Sequence, residues 1–215
     1  MAITKYDFEA IVNSNITLYA KWTEEKSEWS NPFDDVNETD WFYGDVAYAN
    51  RLKLMNGTSE TAFSPNEPLT RAMLVAILYR SEGEPQIEAS EAFADVDAGV
   101  YYADAVSWAK QNGIVNGVTE TEFDPDANIT REQIAAIMHR YAQYKGYDVS
   151  VGEDTNILSF TDFDSISEYA VAPLQYAVGS GLMKGKSETT INPADNATRA
   201  EIAAVLRRFI EGNKK

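Results

Sequence analysis

The dipeptide Thr-Arg occurs at Thr70/Arg71, Thr130/Arg131 and Thr198/Arg199, each time after a proline turn and before an apolar, alanine-rich run. A self-similar period of this kind constrains architecture more than any single residue does, because each copy is a unit that cannot bury its own apolar face alone. Stepping 60 residues from the first copy carries Phe33 to Phe93, Val46 to Val106, Gly57 to Gly117, Phe63 to Phe123, Pro65 to Pro125 and Arg71 to Arg131 without a gap. Stepping 68 from the second carries Trp108 to Tyr176, Gly113 to Gly181, Gly117 to Gly185, Pro125 to Pro193 and Arg131 to Arg199. The extra length falls in 146–159, which reads as a longer linker. The register divides the chain into repeats at 31–88, 89–152 and 153–215, preceded by a segment of different character at 1–30.

Each repeat reads as helix, loop, helix. The first helix of the second repeat carries Tyr102, Val106 and Ala109 on one stripe and closes at Gly113, a residue suited to a left-handed cap, as is Gly181 in the third repeat. Lys53 stands at that place in the first repeat, so the expectation there is a less regular cap, or one supplied a turn later by Asn56 and Gly57. A loop follows, with Phe63, Phe123 or Ile191 as an apolar anchor before the proline. The second helix opens at the threonine. Thr198 to Glu201 has the form of a capping box, Thr130 to Gln133 is its amide version, and Met73 breaks the pattern in the first repeat. Leu74, Ile77 and Leu78, with their counterparts in the other copies, sit at helical spacing. Three such helices can pack around a pseudo-threefold axis, giving a mainly α fold. Before the repeats, Ile16 to Trp22 alternates like a half-buried strand with Tyr6 to Phe8 as a possible partner, and two strands alone are marginal, so 1–30 reads as a short β segment left from a preceding domain plus linker.

Composition narrows the chemistry. With 215 residues, 44% of them hydrophobic, the chain can bury a core, while a net charge of −16 and a pI near 4.4 argue against nucleic acid and anionic lipid. The absence of cysteine excludes disulfides, thiolate metal sites and cysteine nucleophiles. No apolar run approaches the ~20 residues of a membrane span. Residues 1–10 lack a signal-peptide pattern, and the start reads as a boundary within a longer protein. His139 is the single histidine and reads as packing or solvated. The Gly-Lys-Ser ending of Gly181 to Ser187 lacks the P-loop's first glycine, and Asp124, Asp126 and Asn128 begin a calcium-loop pattern that Ile129 and Ala135 break. No carboxylate pair is forced together by spacing, so no catalytic residue, metal or cofactor is expected.

The threonine and the glutamate are explained by capping, but the arginine is not. A cation in the first helical turn faces the positive end of the macrodipole, a placement unfavourable by ~0.3–1 kcal/mol. Two offsets are open: an ion pair with Asp35, Asp95 or Asp162, or an anionic ligand shared between the guanidinium and the helix N-terminal amides.

The ordered set of Phe-x-Asp-Val, an aromatic cluster (Trp41 and Phe42; Tyr101 and Tyr102), a glycine-closed loop, Phe-x-Pro and Thr-Arg resembles three tandem S-layer homology (SLH) domains over almost all of 31–211. The resemblance implies a three-pronged pseudo-trimer with a central helical bundle that anchors extracellular surface proteins to secondary cell wall polysaccharide, often pyruvylated. In that family the signature is TRAE and its arginine lines grooves between repeats. Here it is intact only at Thr198 to Glu201, with TREQ at Thr130 and TRAM at Thr70. The segment Tyr6 to Trp22 also resembles the end of β-grasp-like adhesin repeats. What the resemblance implies for sites is Arg71, Arg131 and Arg199 on ligand; aromatic rings are the usual platform for a sugar, which makes Trp41, Tyr101 and Tyr169 candidates, with ordinary core as the alternative. The loops at Asn56/Gly57, Asn116/Gly117 and Lys184/Gly185 are further ligand contacts or plain turns. A non-catalytic, monomeric anchor is the expectation, with a protein-interaction or S-layer self-assembly module as the alternative.

Overall fold

A computed structural model describes residues 29–87 and 93–213. The expected N-terminal strands lie outside the described residues. Six α-helices occur among them: α1 (Tyr43–Arg51), α2 (Arg71–Ser81), α3 (Ala103–Gln111), α4 (Arg131–Tyr144), α5 (Val171–Gly179) and α6 (Arg199–Gly212), two per repeat, with short 3₁₀ turns at Ser150–Gly152, Phe163–Ser165 and Glu168–Ala170 in the third. The fold is mainly α, with isolated β-bridges in place of a sheet among the described residues.

The even-numbered helices start where the threonines stand. Thr130 and Thr198 form complete capping boxes with Gln133 and Glu201, whereas Thr70 caps the Met73 amide without a return bond. The odd-numbered helices close in a left-handed residue, Gly113 at φ 66° and Gly181 at φ 72°. The first repeat corrects the expectation for Lys53. It takes the same conformation at φ 57°, and the reversal hydrogen bond follows it, Leu54 N–H to Ala49 O at 2.9 Å, as Ile114 N–H to Ala109 O at 2.8 Å follows Gly113. Register therefore overrides residue type there, and a lysine carries the left-handed strain, ~1–2 kcal/mol. Lys53→Gly should raise stability by about 0.5–1 kcal/mol after glycine's greater unfolded-state entropy is subtracted, which urea denaturation would measure.

The helices pair between repeats, not within them. α2 packs on α3, α4 on α5 and α6 on α1, so each second helix lies against the first helix of the next repeat and the third repeat returns to the first. At the axis, the backbone closes a ring: Leu69 N–H donates to Ala197 O (3.0 Å), Ala197 N–H to Ile129 O (3.1 Å) and Ile129 N–H to Leu69 O (2.9 Å). At the far end of α2, α4 and α6, Tyr141 stacks on Phe209 at 5.2 Å and its hydroxyl meets Ser81 Oγ and the Glu82 carboxylate, to which Lys145 is also paired. The loop anchors Phe63, Phe123 and Ile191 are fully buried, and Phe33 and Phe93 lie 5.4 Å from the first two. Burial of one face per helix thus requires all three copies, which is why the unit is three repeats and not one.

Candidate functional site

Each Thr-Arg arginine is buried, at 5% exposure for Arg71, 6% for Arg131 and 8% for Arg199. Its protein partners are not the carboxylates that the sequence offers. Arg71 donates through Nε to Phe123 O (2.8 Å) and through Nη2 to Asn116 O (3.2 Å). Arg131 does the same to Ile191 O (2.8 Å) and Lys184 O (2.6 Å), and Arg199 to Phe63 O (2.8 Å) and Asn56 O (2.6 Å). Every guanidinium therefore grips the loop of the next repeat around the ring, through backbone carbonyls. Phe123 and Phe63 also lie under Arg71 and Arg199, 4.6 and 4.7 Å from ring centre to the guanidinium carbon, a cation–π contact that Ile191 cannot give Arg131.

The acidic residues act one bond further away. Asp35 accepts from the amides of Phe63 (2.8 Å) and Ser64 (2.7 Å), Asp95 from Phe123 and Asp124, and Asp162 from Ile191 and Asn192. One loop peptide thus hands its N–H to a carboxylate and its neighbouring carbonyl to an arginine. Direct Arg–Asp pairing, one of the two sequence alternatives, is absent at all three positions. The carboxylates also hold Ser64, Asp124 and Asn192 in left-handed backbone, φ 57°, 59° and 53°, where non-glycine residues are strained. Partial desolvation disfavours the charge of Asp95, but the Phe123 and Asp124 amides and the Arg71 charge outweigh it and hold its carboxyl below the usual carboxylate range. A depressed folded-state value means that this stabilisation is complete above the unfolded value of about 4 and fades as pH falls through the lower folded one. Acid unfolding followed by circular dichroism should show stability falling below about pH 4, with a shallower pH dependence in Asp95→Asn.

The helix amides are not free to share a ligand. The first two of each even-numbered helix donate to the adjoining loop, as in Arg131 N–H to Asp195 O and Glu132 N–H to Pro193 O, both 3.0 Å, and the third goes to the threonine hydroxyl. What remains is the arginine itself. Nη1 of each carries no protein acceptor among the described residues and keeps contact with solvent.

Around these atoms the structure gathers the other expected residues. Arg199, Asn56, Gly57 and Tyr101 line one groove of about 220 Å³, with Met73 and Arg80. Arg131, Lys184, Gly185 and Trp41 line a second of about 180 Å³, with Lys186, Glu201 and Arg208. At Arg71 the loop is Asn116/Gly117, and Tyr169 lies near enough to couple electrostatically to the guanidinium. The Tyr169 hydroxyl donates to Glu132 at 3.1 Å, and burial beside that carboxylate pushes its pKa up to about 12. All three repeats contribute to both mapped grooves. Trp41, Tyr101 and Tyr169 are 63%, 68% and 49% exposed, so core packing does not account for them. The Gly57, Gly117 and Gly185 amides donate to no protein acceptor among the described residues. Their glycines are required sterically, since a Cβ on Gly117 would lie 2.2 Å from Thr119 O and 2.4 Å from Glu122 O.

One feature of the grooves escaped the sequence reading. Arg80, Arg140 and Arg208 are related by the same 60- and 68-residue steps, nine residues beyond each Thr-Arg arginine. Arg80 and Arg208 donate to Leu54 O (2.7 Å) and Leu182 O (3.3 Å) at the groove edge. The subtraction that located the first arginine would have located the second.

The S-layer homology domain model matches residues 32–72, 92–135 and 159–203. The chain belongs to the S-layer homology domain family. SLH units are cell-wall anchors, and this one works outside the cell at the bacterial surface. Among its relatives are an endoglucanase of Bacillus sp. (strain KSM-635), 33% identical over 87% of this chain and 20% of the relative, and a surface-layer 125 kDa protein of Lysinibacillus sphaericus, 30% identical over 74% and 13%. A cellulosome-anchoring protein of Acetivibrio thermocellus is 24% identical over 69% of this chain and 33% of the relative. The chain thus spans a third or less of each of these three proteins, the endoglucanase included, which it meets only in its SLH part. Among the described residues of this SLH unit, no helix is long and apolar enough to cross a membrane, no three acidic or histidine side chains are placed to hold a metal, and no carboxylate is buried.

Proposed function

We propose that this module is a non-catalytic, monomeric anchor that binds an acidic secondary cell wall polysaccharide, such as a pyruvylated one, in the grooves between its repeats. The observation that carries this reading is the buried arginine whose Nη1 remains unpaired beside an exposed aromatic ring from another repeat. A largely buried charge with one open donor favours a carboxylate, and a flat ring beside it suits the apolar face of a sugar. The loop N–H of Gly57, Gly117 or Gly185 adds a neutral donor within the same loop. The second arginine extends the cationic edge to a neighbouring sugar unit. Closure of the repeats into a ring leaves no open repeat face for further copies, which supports the monomeric reading; sedimentation at rising protein concentration tests it, and self-association without glycan would favour an assembly module instead. The repeat boundaries fall at 88/89 and 152/153.

The binding test should spare the structural arginines. Trp41, Tyr101 and Tyr169 are exposed, so their triple alanine variant is expected to fold normally. Calorimetry with polysaccharide released from purified Gram-positive cell walls should show affinity lowered about tenfold or more in that variant, since each 1.4 kcal/mol of lost stacking is a decade. Unchanged affinity would overturn the groove assignment.

A further inference from the structure

The grooves share one plan but not one charge. Around Arg131 the lining adds Lys184, Lys186 and Arg208 against a single carboxylate, Glu201. The two lysines stand where the first repeat has Asn56 and Thr58 and the second has Asn116 and Val118. The groove at Arg199 adds only Arg80 as a further cation and has Met73 in the place of Glu201. At Arg71 the further cation is Arg140, and Glu132 is held by Ser167 and Tyr169.

Glu201 does not cancel the excess. One of its oxygens accepts from the Thr198 amide at 3.1 Å to complete the helix cap, and the other holds Lys186. Lys184 is exposed and makes no ion pair among the described residues. Arg131 is also the one Thr-Arg guanidinium without an aromatic ring beneath it, because Ile191 replaces the phenylalanine, and Asp162 and Asp195 act on its charge besides Glu201. In a chain of net charge −16, these four cations make a local positive site against the field of the whole molecule. The ring across from it is Trp41, the largest aromatic of the three.

Resting on the polysaccharide reading above, we propose that the Arg131 groove is the charge-selective site, taking the glycan unit that carries the acidic substituent, with Lys184 and Lys186 setting its preference for the ionised over the neutral form. The two tyrosine grooves, which lack the lysines, hold neighbouring units with less preference for charge. An incoming carboxylate exchanges the Lys186–Glu201 pair for one with the ligand, and Glu201 keeps its bond to the Thr198 amide.

The test compares acidic wall polysaccharide with the same material after carboxyl reduction, by calorimetry on the full chain. The wild type should prefer the acidic form by roughly five- to tenfold, the expected sum for partly exposed charges. Lys184→Met/Lys186→Met, two exposed positions, should bring the two affinities within about twofold of each other. Lys186→Glu should go further and favour the reduced form. Arg80→Met, in the Arg199 groove, should weaken both forms while keeping their ratio. Retention of the full preference in the double lysine variant, or its loss in Arg80→Met instead, would overturn the assignment to this groove. If the wild type bound neither form, the polysaccharide reading itself would fall, and this inference with it.

Discussion

Arg131→Met is expected to lower the stability of the whole three-repeat unit by about 2–6 kcal/mol, before any ligand is considered. The guanidinium reaches Ile191 O and Lys184 O at 2.8 and 2.6 Å, and a methionine of similar length leaves both carbonyls without their donors. Hydrogen bonds to a charged group contribute ~1.5–3 kcal/mol each, from which relief of a buried cation at the wrong end of a helix dipole subtracts ~0.3–1 kcal/mol. Arg131→Lys should fall between, because one ammonium point cannot span two carbonyls as a planar fork does. Arg71→Met and Arg199→Met should be more damaging by ~0.5–1 kcal/mol, the cation–π contact with Phe123 and Phe63 being lost as well. Guanidinium denaturation would measure all four, with a shifted midpoint and an unchanged slope as the expected signature. A wild-type midpoint in Arg131→Met would mean that the residue serves ligand alone.

The second large effect is steric. Gly117→Ala should destabilise by about 3 kcal/mol or more, because the new methyl would meet Thr119 O, Glu122 O and the Phe93 ring at 2.2, 2.4 and 2.7 Å. Two of those neighbours are backbone, so the loop must open and not merely rotate a side chain. Opening it breaks Val118 N–H to Glu122 O (2.8 Å) and draws Asn116 O away from Arg71. Gly113 supplies the internal comparison: its φ is 66° but a methyl group there would find nothing within 4 Å, so Gly113→Ala should cost only ~1 kcal/mol from conformation. Thermal denaturation of the pair separates crowding from backbone strain, and similar losses in both would show that the loop yields easily.

Local features were legible and cyclic ones were not. Capping boxes at Thr130 and Thr198 are readable because the threonine and its partner are three residues apart, and Phe63, Phe123 and Ile191 are readable as core because the repeat step superposes them. The exchange of helices between repeats left no such trace, since Arg71 meets Asn116 and Arg199 meets Asn56 across separations of 45 and 143 residues. The arginine was recognisable as misplaced by its position at a helix start, yet its acceptor is backbone, a partner with no residue type to read. Lys53 shows the converse, a residue whose identity argues against a conformation that its two counterparts in the ring impose.

The hydrogen-bonded ring of Leu69, Ile129 and Ala197 has a mechanical meaning for a tether. In a linear array, tension on one end peels units off singly, each yielding at its own force. Here the last repeat grips the first through Arg199, so a pull on either terminus loads three loop contacts that are joined in a circle. No repeat can be drawn out without opening the junctions on both of its sides, and the anchor should yield as one event in a force-extension trace instead of in three steps.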